Sequence, residues 1–161
     1  MITVGIDPGK KGGMAWGDGT PGRISCAKTP ETVEEMASLL RIIKPDKAAL
    51  EKVGGFIGHA QPGSAMFEFG RSYGELRGAL AAFGIPCTLL TPQAWQKTMK
   101  LGNSKGMSKT SWKNELKDKA MKLYPGVKIT LATSDAVLIY HAAVFGSQPH
   151  NYTTHSDELG F

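Results

Sequence analysis

Apolar residues alternate at the start of the chain. Ile2, Val4 and Ile6 are separated by Thr3, Gly5 and Asp7, the period-two signature of a strand with one buried face. Pro8, Gly9, Gly12 and Gly13 then mark a tight turn, and Met14, Ala15 and Trp16 read as a returning strand. A second turn over residues 17–22 leads to a short strand near residues 23–28, so the first thirty residues predict an antiparallel meander of three strands.

From Pro30 the period changes. Val33, Met36, Ala37, Leu40 and Ile43 form one helical stripe, with Thr29 or Thr32 as the cap and Glu31, Glu34 and Glu35 near the positive end of the helix dipole. Pro45-Asp46 stops it. Ala48-Ala49-Leu50 reads as a short buried strand ending in Glu51, and the glycine-rich residues 54–63 predict a mobile loop. A second helix spans residues 66–83, where Phe69, Tyr73, Leu76, Leu80 and Phe83 step by four, three, four and three; Gly84-Ile85-Pro86 ends it. Residues 87–90 form a strand, 93–99 a short helix, 102–108 a loop and 109–123 a basic helix stopped by Tyr124-Pro125-Gly126. Thr133 or Ser134 caps a last helix running through Phe145. No internal repeat is visible.

The order of elements predicts an α/β layer fold with a mixed sheet, three antiparallel strands followed by parallel ones, and a site at the strands' carboxyl ends. The length of 161 residues suits one domain with a real core, assigned to residues 1–146, with residues 147–161 a polar, frayed tail. No apolar run approaches the roughly 20 residues that span a bilayer, so no membrane partner is expected. The opening MITVGIDPGKKGG lacks the order of a secretory signal, and two cysteines, Cys26 and Cys87, make neither a disulfide scaffold nor a four-ligand zinc site. The expected compartment is a reducing cytoplasm.

The formal net charge is +5, and it is concentrated. Residues 97–128 hold nine lysines (among them Lys97, Lys105, Lys109 and Lys113) against two acids, a balance of +7. The remaining ten basic and twelve acidic residues leave −2. Such a segment is either a solvated helix face or a surface that tracks phosphates, where released counterions make affinity salt-dependent.

Three acids stand at chemically useful places. Asp7 ends the first strand before its Pro-Gly turn, Glu51 ends the fourth, and Asp135 opens a helix that is apolar almost all round. Each alone has a plain reading, as a turn residue or a helix-dipole partner. Together at one sheet end, three carboxylates repel unless cations sit between them, and all-oxygen hard donors suit Mg²⁺, with Mn²⁺ able to substitute. Two such ions about 4 Å apart activate a water and stabilise a leaving oxygen in phosphodiester hydrolysis.

VGIDPG with Gly12-Gly13, a strand ending LEKV, the helix FEFGRSYGELRGAL, the segment TPQAWQK and the terminal SDAVLIYHAA resemble, in order over residues 2–146, the RuvC-type Holliday junction resolvases, nearest to their phage, bacterial and chloroplast branch. The resemblance implies an RNase H-like fold, a homodimer, and paired nicking of four-way DNA junctions with divalent metal, two ions per active site. It points to the cytoplasm of a bacterial or phage-infected cell, an organelle form remaining open. By motif, Asp7 resembles the metal-bridging aspartate, Glu51 the second-strand glutamate and Asp135 the final-helix acid. Where the family has a further acid or histidine three or four residues before Asp135, this chain has Ala132 and Leu131. Either three carboxylates suffice, or the fourth ligand comes from elsewhere, or Ala132 is an inactivating substitution.

Lys109 resembles a lysine that the chloroplast-type resolvases place near the scissile phosphate, where positive charge stabilises the transition state. Lys105 and Lys113 read as phosphate contacts, and Lys10, Lys11, Arg71 and Lys97 join them as candidate DNA contacts. Gly70, Gly74 and Gly78 recur every four residues, at a cost of about 1 kcal/mol each relative to alanine, so something approaches that backbone closely. It is either the chain's own sheet or a second copy across a two-fold axis, and the family's use of this helix for dimerisation favours the second. Among Phe56, Phe67 and Phe69, Phe69 fits the core stripe and Phe67 is freest to stack on an exposed base. Trp95 and Trp112 read as core or interface residues, and His59, His141, His150 and His155 have no zinc-like spacing.

The expected activity is that of a crossover-junction endodeoxyribonuclease leaving 5′-phosphate and 3′-hydroxyl ends. The alternative is a branched-DNA-binding protein of the same fold, catalytically impaired. An actin-like phosphotransferase would need a second phosphate loop and a second lobe, for which 161 residues leave no room.

Overall fold

A computed structural model of the chain describes residues 1–54, 63–102 and 104–146. Phe56, His59, His150, His155 and the expected tail lie outside the described residues, as does most of the expected glycine-rich loop.

Five strands form one mixed sheet in the order β3-β2-β1-β4-β5. The meander is β1 (Thr3–Ile6), β2 (Gly13–Gly17) and β3 (Ser25–Lys28), each antiparallel to the next. β4 (Lys47–Glu51) lies parallel to β1, and β5 (Cys87–Leu90) parallel to β4. The helices are α1 (Val33–Ile43), α2 (Gly63–Ala82), α3 (Pro92–Thr98), α4 (Lys109–Leu123) and α5 (Ser134–Phe145).

Strand alternation divides the core in two. Val4, Ile6, Met14, Ala48 and Leu50 face α1 and α2, and pack on Met36, Leu40, Leu76 and Leu80. Ala15 and Ala49 face the other way, into a cluster with Trp95 of α3, Leu116 and Ala120 of α4 and the α5 residues Ala136 to Tyr140. Residues 134–140 of α5 are all buried, which explains why its sequence is apolar on every side.

Glycine on the second face lets α5 sit against the sheet. A Cβ on Gly5 would lie 2.6 Å from Cα of Tyr140 and 2.7 Å from the carbonyl oxygen of Ala136, both backbone atoms of α5. One on Gly13 would lie 2.7 Å from the carbonyl oxygen of Ala132. Only a residue without a side chain permits this approach, and α5 is thereby pinned over β1 and β2.

The helix ends follow the local chemistry. Thr32 Oγ1 accepts from Glu35 N–H at α1, Thr91 Oγ1 from Ala94 N–H at α3 with Pro92 next, and Ser108 Oγ from Ser111 N–H at α4. Thr133 does not cap α5 in this way; its hydroxyl instead accepts from Thr130 N–H at 3.0 Å, because residue 133 already has helix-like backbone angles. α2 starts three residues earlier than its stripe predicts. Of that stripe only Leu76 and Leu80 are buried; Phe83 lies just past the helix end, exposed, beneath the guanidinium of Arg41. Among the described residues, a Cβ on Gly70, Gly74 or Gly78 would meet nothing within 4 Å, so the sheet is not what their backbone approaches.

Candidate active site

Ile6 is paired with Leu50 across the parallel β1–β4 ladder. Asp7 and Glu51 are the next residue of each strand, so they leave the sheet side by side on the face that α5 covers. Asp7 is held by its surroundings: its N–H donates to Gly13 O at 3.0 Å, Gly9 N–H donates to its Oδ1 at 3.1 Å, and the Thr29 hydroxyl donates to its carbonyl at 3.1 Å. Gly12 closes that turn, and a Cβ there would stand 2.9 Å from Cγ of Asp7. The Pro-Gly-Lys-Lys-Gly-Gly turn therefore fixes the carboxylate's direction.

Glu51 accepts a hydrogen bond from Trp95 Nε1 at 2.8 Å. Asp135 sits in the first turn of α5, and the Ser134 hydroxyl donates to its Oδ1 at 3.2 Å. Its Oδ2 is in contact with the ammonium of Lys113, from α4.

The three acids feel one another. Burial pushes Glu51 up to about 7, and the charges of Asp7 and Asp135 add to this while the Trp95 donor and Lys113 oppose it. Asp7 is raised by burial and by Asp135, against the Gly9 N–H and Lys113. Burial opposes the charge on Lys113, but Asp135, with Asp7 and Glu51, more than offsets this and holds its pKa above the ordinary lysine value. Residues 7, 51 and 135 thus share one electrostatic environment, with Lys113 as its counter-charge.

The other candidates lie around this centre. Lys109 is exposed at the first position of α4, and it is Lys113, one turn further on, that reaches the carboxylates. Lys10 and Lys11 are exposed in the turn after Asp7, Lys97 is exposed in the last turn of α3, and Lys105 is exposed before α4. Arg71 is engaged on its own helix by Glu68 at 2.8 Å and Glu75 at 2.6 Å. Phe67 is 68% exposed, available to stack. A groove of about 610 Å³ runs from Gly9 and Lys10 between α1 and α2, past Thr32, Phe69 and Arg71; it adjoins the Asp7 turn and does not include the carboxylates. His141 is a structural residue, its Nδ1 2.9 Å from the Tyr124 hydroxyl.

Two participants were not read from the sequence as belonging to this centre: Trp95 as a partner of Glu51, and Lys113 as a partner of Asp135. Each left a signal. A buried indole N–H needs an acceptor. Lys113 precedes Leu116 and Ala120, both buried, by three and seven residues, so it lies on the inward face of α4.

The donor set suits a hard divalent cation: three carboxylates, without thiolate or imidazole, whose mutual repulsion favours a bound positive charge. Among the described residues, no group of three such side chains is drawn together around one point; Asp135 is turned to Lys113 instead. Neither Leu131 nor Ala132 adds a donor side chain.

A mixed five-stranded sheet flanked by helices, with carboxylates at the ends of β1 and β4 and on the helix that crosses them, is the RNase H-like fold. The likeness of fold to two solved structures extends over nearly the whole chain. The chain is similar to the Thermus thermophilus RuvC structure (TM-score 0.54, 17% identity, covering 87% of this chain and 91% of that one). It is similar also to T. thermophilus RuvC in complex with a Holliday junction substrate (TM-score 0.58, 16% identity, covering 93% and 99%). No protein-family model and no curated protein matches the sequence. No helix among the described residues is long and apolar enough to cross a membrane.

Proposed function

We propose that this chain is a structure-selective DNA endonuclease that resolves four-way junctions as a homodimer, using Mg²⁺ or Mn²⁺. The observation that supports the reading is the electrostatic coupling of Asp7, Glu51 and Asp135, two from the ends of β1 and β4 and one from the first turn of α5, in a chain whose fold is like that of RuvC. Cations held by these carboxylates would supply water activation and charge neutralisation at the leaving oxygen. The chain's own residues do the rest. The buried Trp95 donor orients Glu51, the glycine turn orients Asp7, and α5 aims Asp135. The lysines of residues 97–128 hold the DNA arms by their phosphates and so read shape more than sequence. The open glycine row of α2 admits a second copy, which would set two active sites on opposing strands.

The test is strand-by-strand mapping of nicks on mobile and immobile four-way junctions in Mg²⁺ or Mn²⁺, with linear duplex as control. Paired nicks on opposing strands of the junctions alone are expected. Binding without nicks in either metal would favour the second reading, a junction-binding protein whose centre is impaired because residues 131 and 132 carry no donor. Ala132→Asp would then restore cutting.

A further inference from the structure

Lys113 occupies a peculiar position. Its ammonium is on Asp135, whose side chain is only 9% exposed, while its own side chain is 37% exposed. It therefore reaches from the half-exposed inner edge of α4 into the acidic centre. Lys109 stands four residues earlier and exposed, so the two lie along one ridge of the helix. A carboxylate oxygen engaged by an ammonium has less to offer a second cation. A lysine on a flexible four-carbon stem can exchange one anionic oxygen for another, and a phosphodiester on that ridge is such a partner.

We infer that Lys113 couples cation binding to DNA binding: in the free protein it holds Asp135, and a backbone phosphate of bound DNA draws it away, opening Asp135 to the divalent ion. This rests on the metal-dependent reading above. The coupling is reciprocal, so the ion must strengthen DNA binding by the same factor that DNA strengthens ion binding. Free protein would keep part of the negative charge of its centre offset by a side chain, and the competent site would assemble on the substrate.

Mn²⁺ binding, read from the electron paramagnetic resonance signal of the free ion, tests this without reference to cutting. The full chain is titrated alone and with saturating four-way junction, with a titration of the DNA by itself subtracted. Lys113→Met is compared with Lys113→Arg, which keeps the pair, and with Lys109→Met, which removes a nearby charge that holds no carboxylate. Thermal melts confirm folding, and Lys113→Gln replaces a methionine variant that fails to fold. The expected result is Mn²⁺ affinity about tenfold tighter in free Lys113→Met than in wild type or Lys109→Met, with DNA adding about tenfold to wild type and to Lys113→Arg but clearly less to Lys113→Met. If Lys113→Met binds no tighter than Lys109→Met, or gains as much from DNA as wild type, the coupling is wrong while the metal site stands. If wild type binds Mn²⁺ no better than Asp7→Asn in every state, the metal-dependent reading and the coupling both fall.

Discussion

Trp95 Nε1 donates to Glu51 Oε2 at 2.8 Å from a position that is 1% exposed, tying the core of the second face to the end of β4. The bond favours the ionised carboxylate against the burial that opposes it. Trp95→Phe keeps most of the volume and removes the donor. It is expected to cost about 1.5–3 kcal/mol, the range for a bond to a charged group, and to raise the Glu51 pKa above its present value of about 7. Denaturant melts measure the first, and carboxyl-carbon NMR titration the second.

The same carboxylates set how stability varies with pH. Glu51 titrates at 4.5 in its ordinary state and at about 7 in the fold, and Asp7 is raised too. Between those values the folded chain binds more protons than the unfolded one. Stability of the metal-free protein therefore falls as pH rises through that window, by at most about 3 kcal/mol for Glu51. Glu51→Gln should flatten most of this slope. Melts between pH 4.5 and 7.5 in chelator check it, and a stability that climbs across the window would contradict it.

Asp7→Asn keeps the size and the turn but removes one charge. Junction nicking is expected to fall by about a thousandfold or more, while junction binding in Ca²⁺ stays within about threefold of wild type. Gel assays of both quantities on one preparation decide it; loss of binding together with nicking would show that Asp7 also carries the DNA interface.

Glycines in this chain divide by what surrounds them. Gly5→Ala would push a methyl group into the backbone of α5 at Tyr140 and Ala136, at a cost of about 3 kcal/mol or more, since neither strand nor helix can yield without moving Asp135. Gly70→Ala, Gly74→Ala and Gly78→Ala meet no atom of the described residues and should each stabilise the monomer by about 0.5–1 kcal/mol. Analytical ultracentrifugation then reports on the second copy: a dimer seated on this row dissociates in the triple variant although the monomer melts higher.

The sheet was legible because β1 alternates strictly and because Asp7 and Glu51 interrupt apolar segments where strands emerge. The basic helix was legible to its bounds, since Ser108 caps it and Pro125 follows its end. The start of α2 was not: Gly63, Ser64 and Ala65 carry no apolar period, and their helix is seen only in space. The pairs Trp95–Glu51 and Lys113–Asp135 were also missed, although each residue sits on an inward face. Periodicity reports that a side chain turns inward, and it says nothing of what it meets there.

α5 supplies both the filler of the second core face and the third carboxylate. Synthesis therefore imposes a timetable. A growing polypeptide carries Asp7 and Glu51 early, yet its sheet stays uncovered on one side until residues 134–145 emerge and dock. This helix, the last among the described residues, completes the hydrophobic interior and brings the third acid to the other two in one event, so a polypeptide halted before it has neither a sealed core nor the full set of three acids.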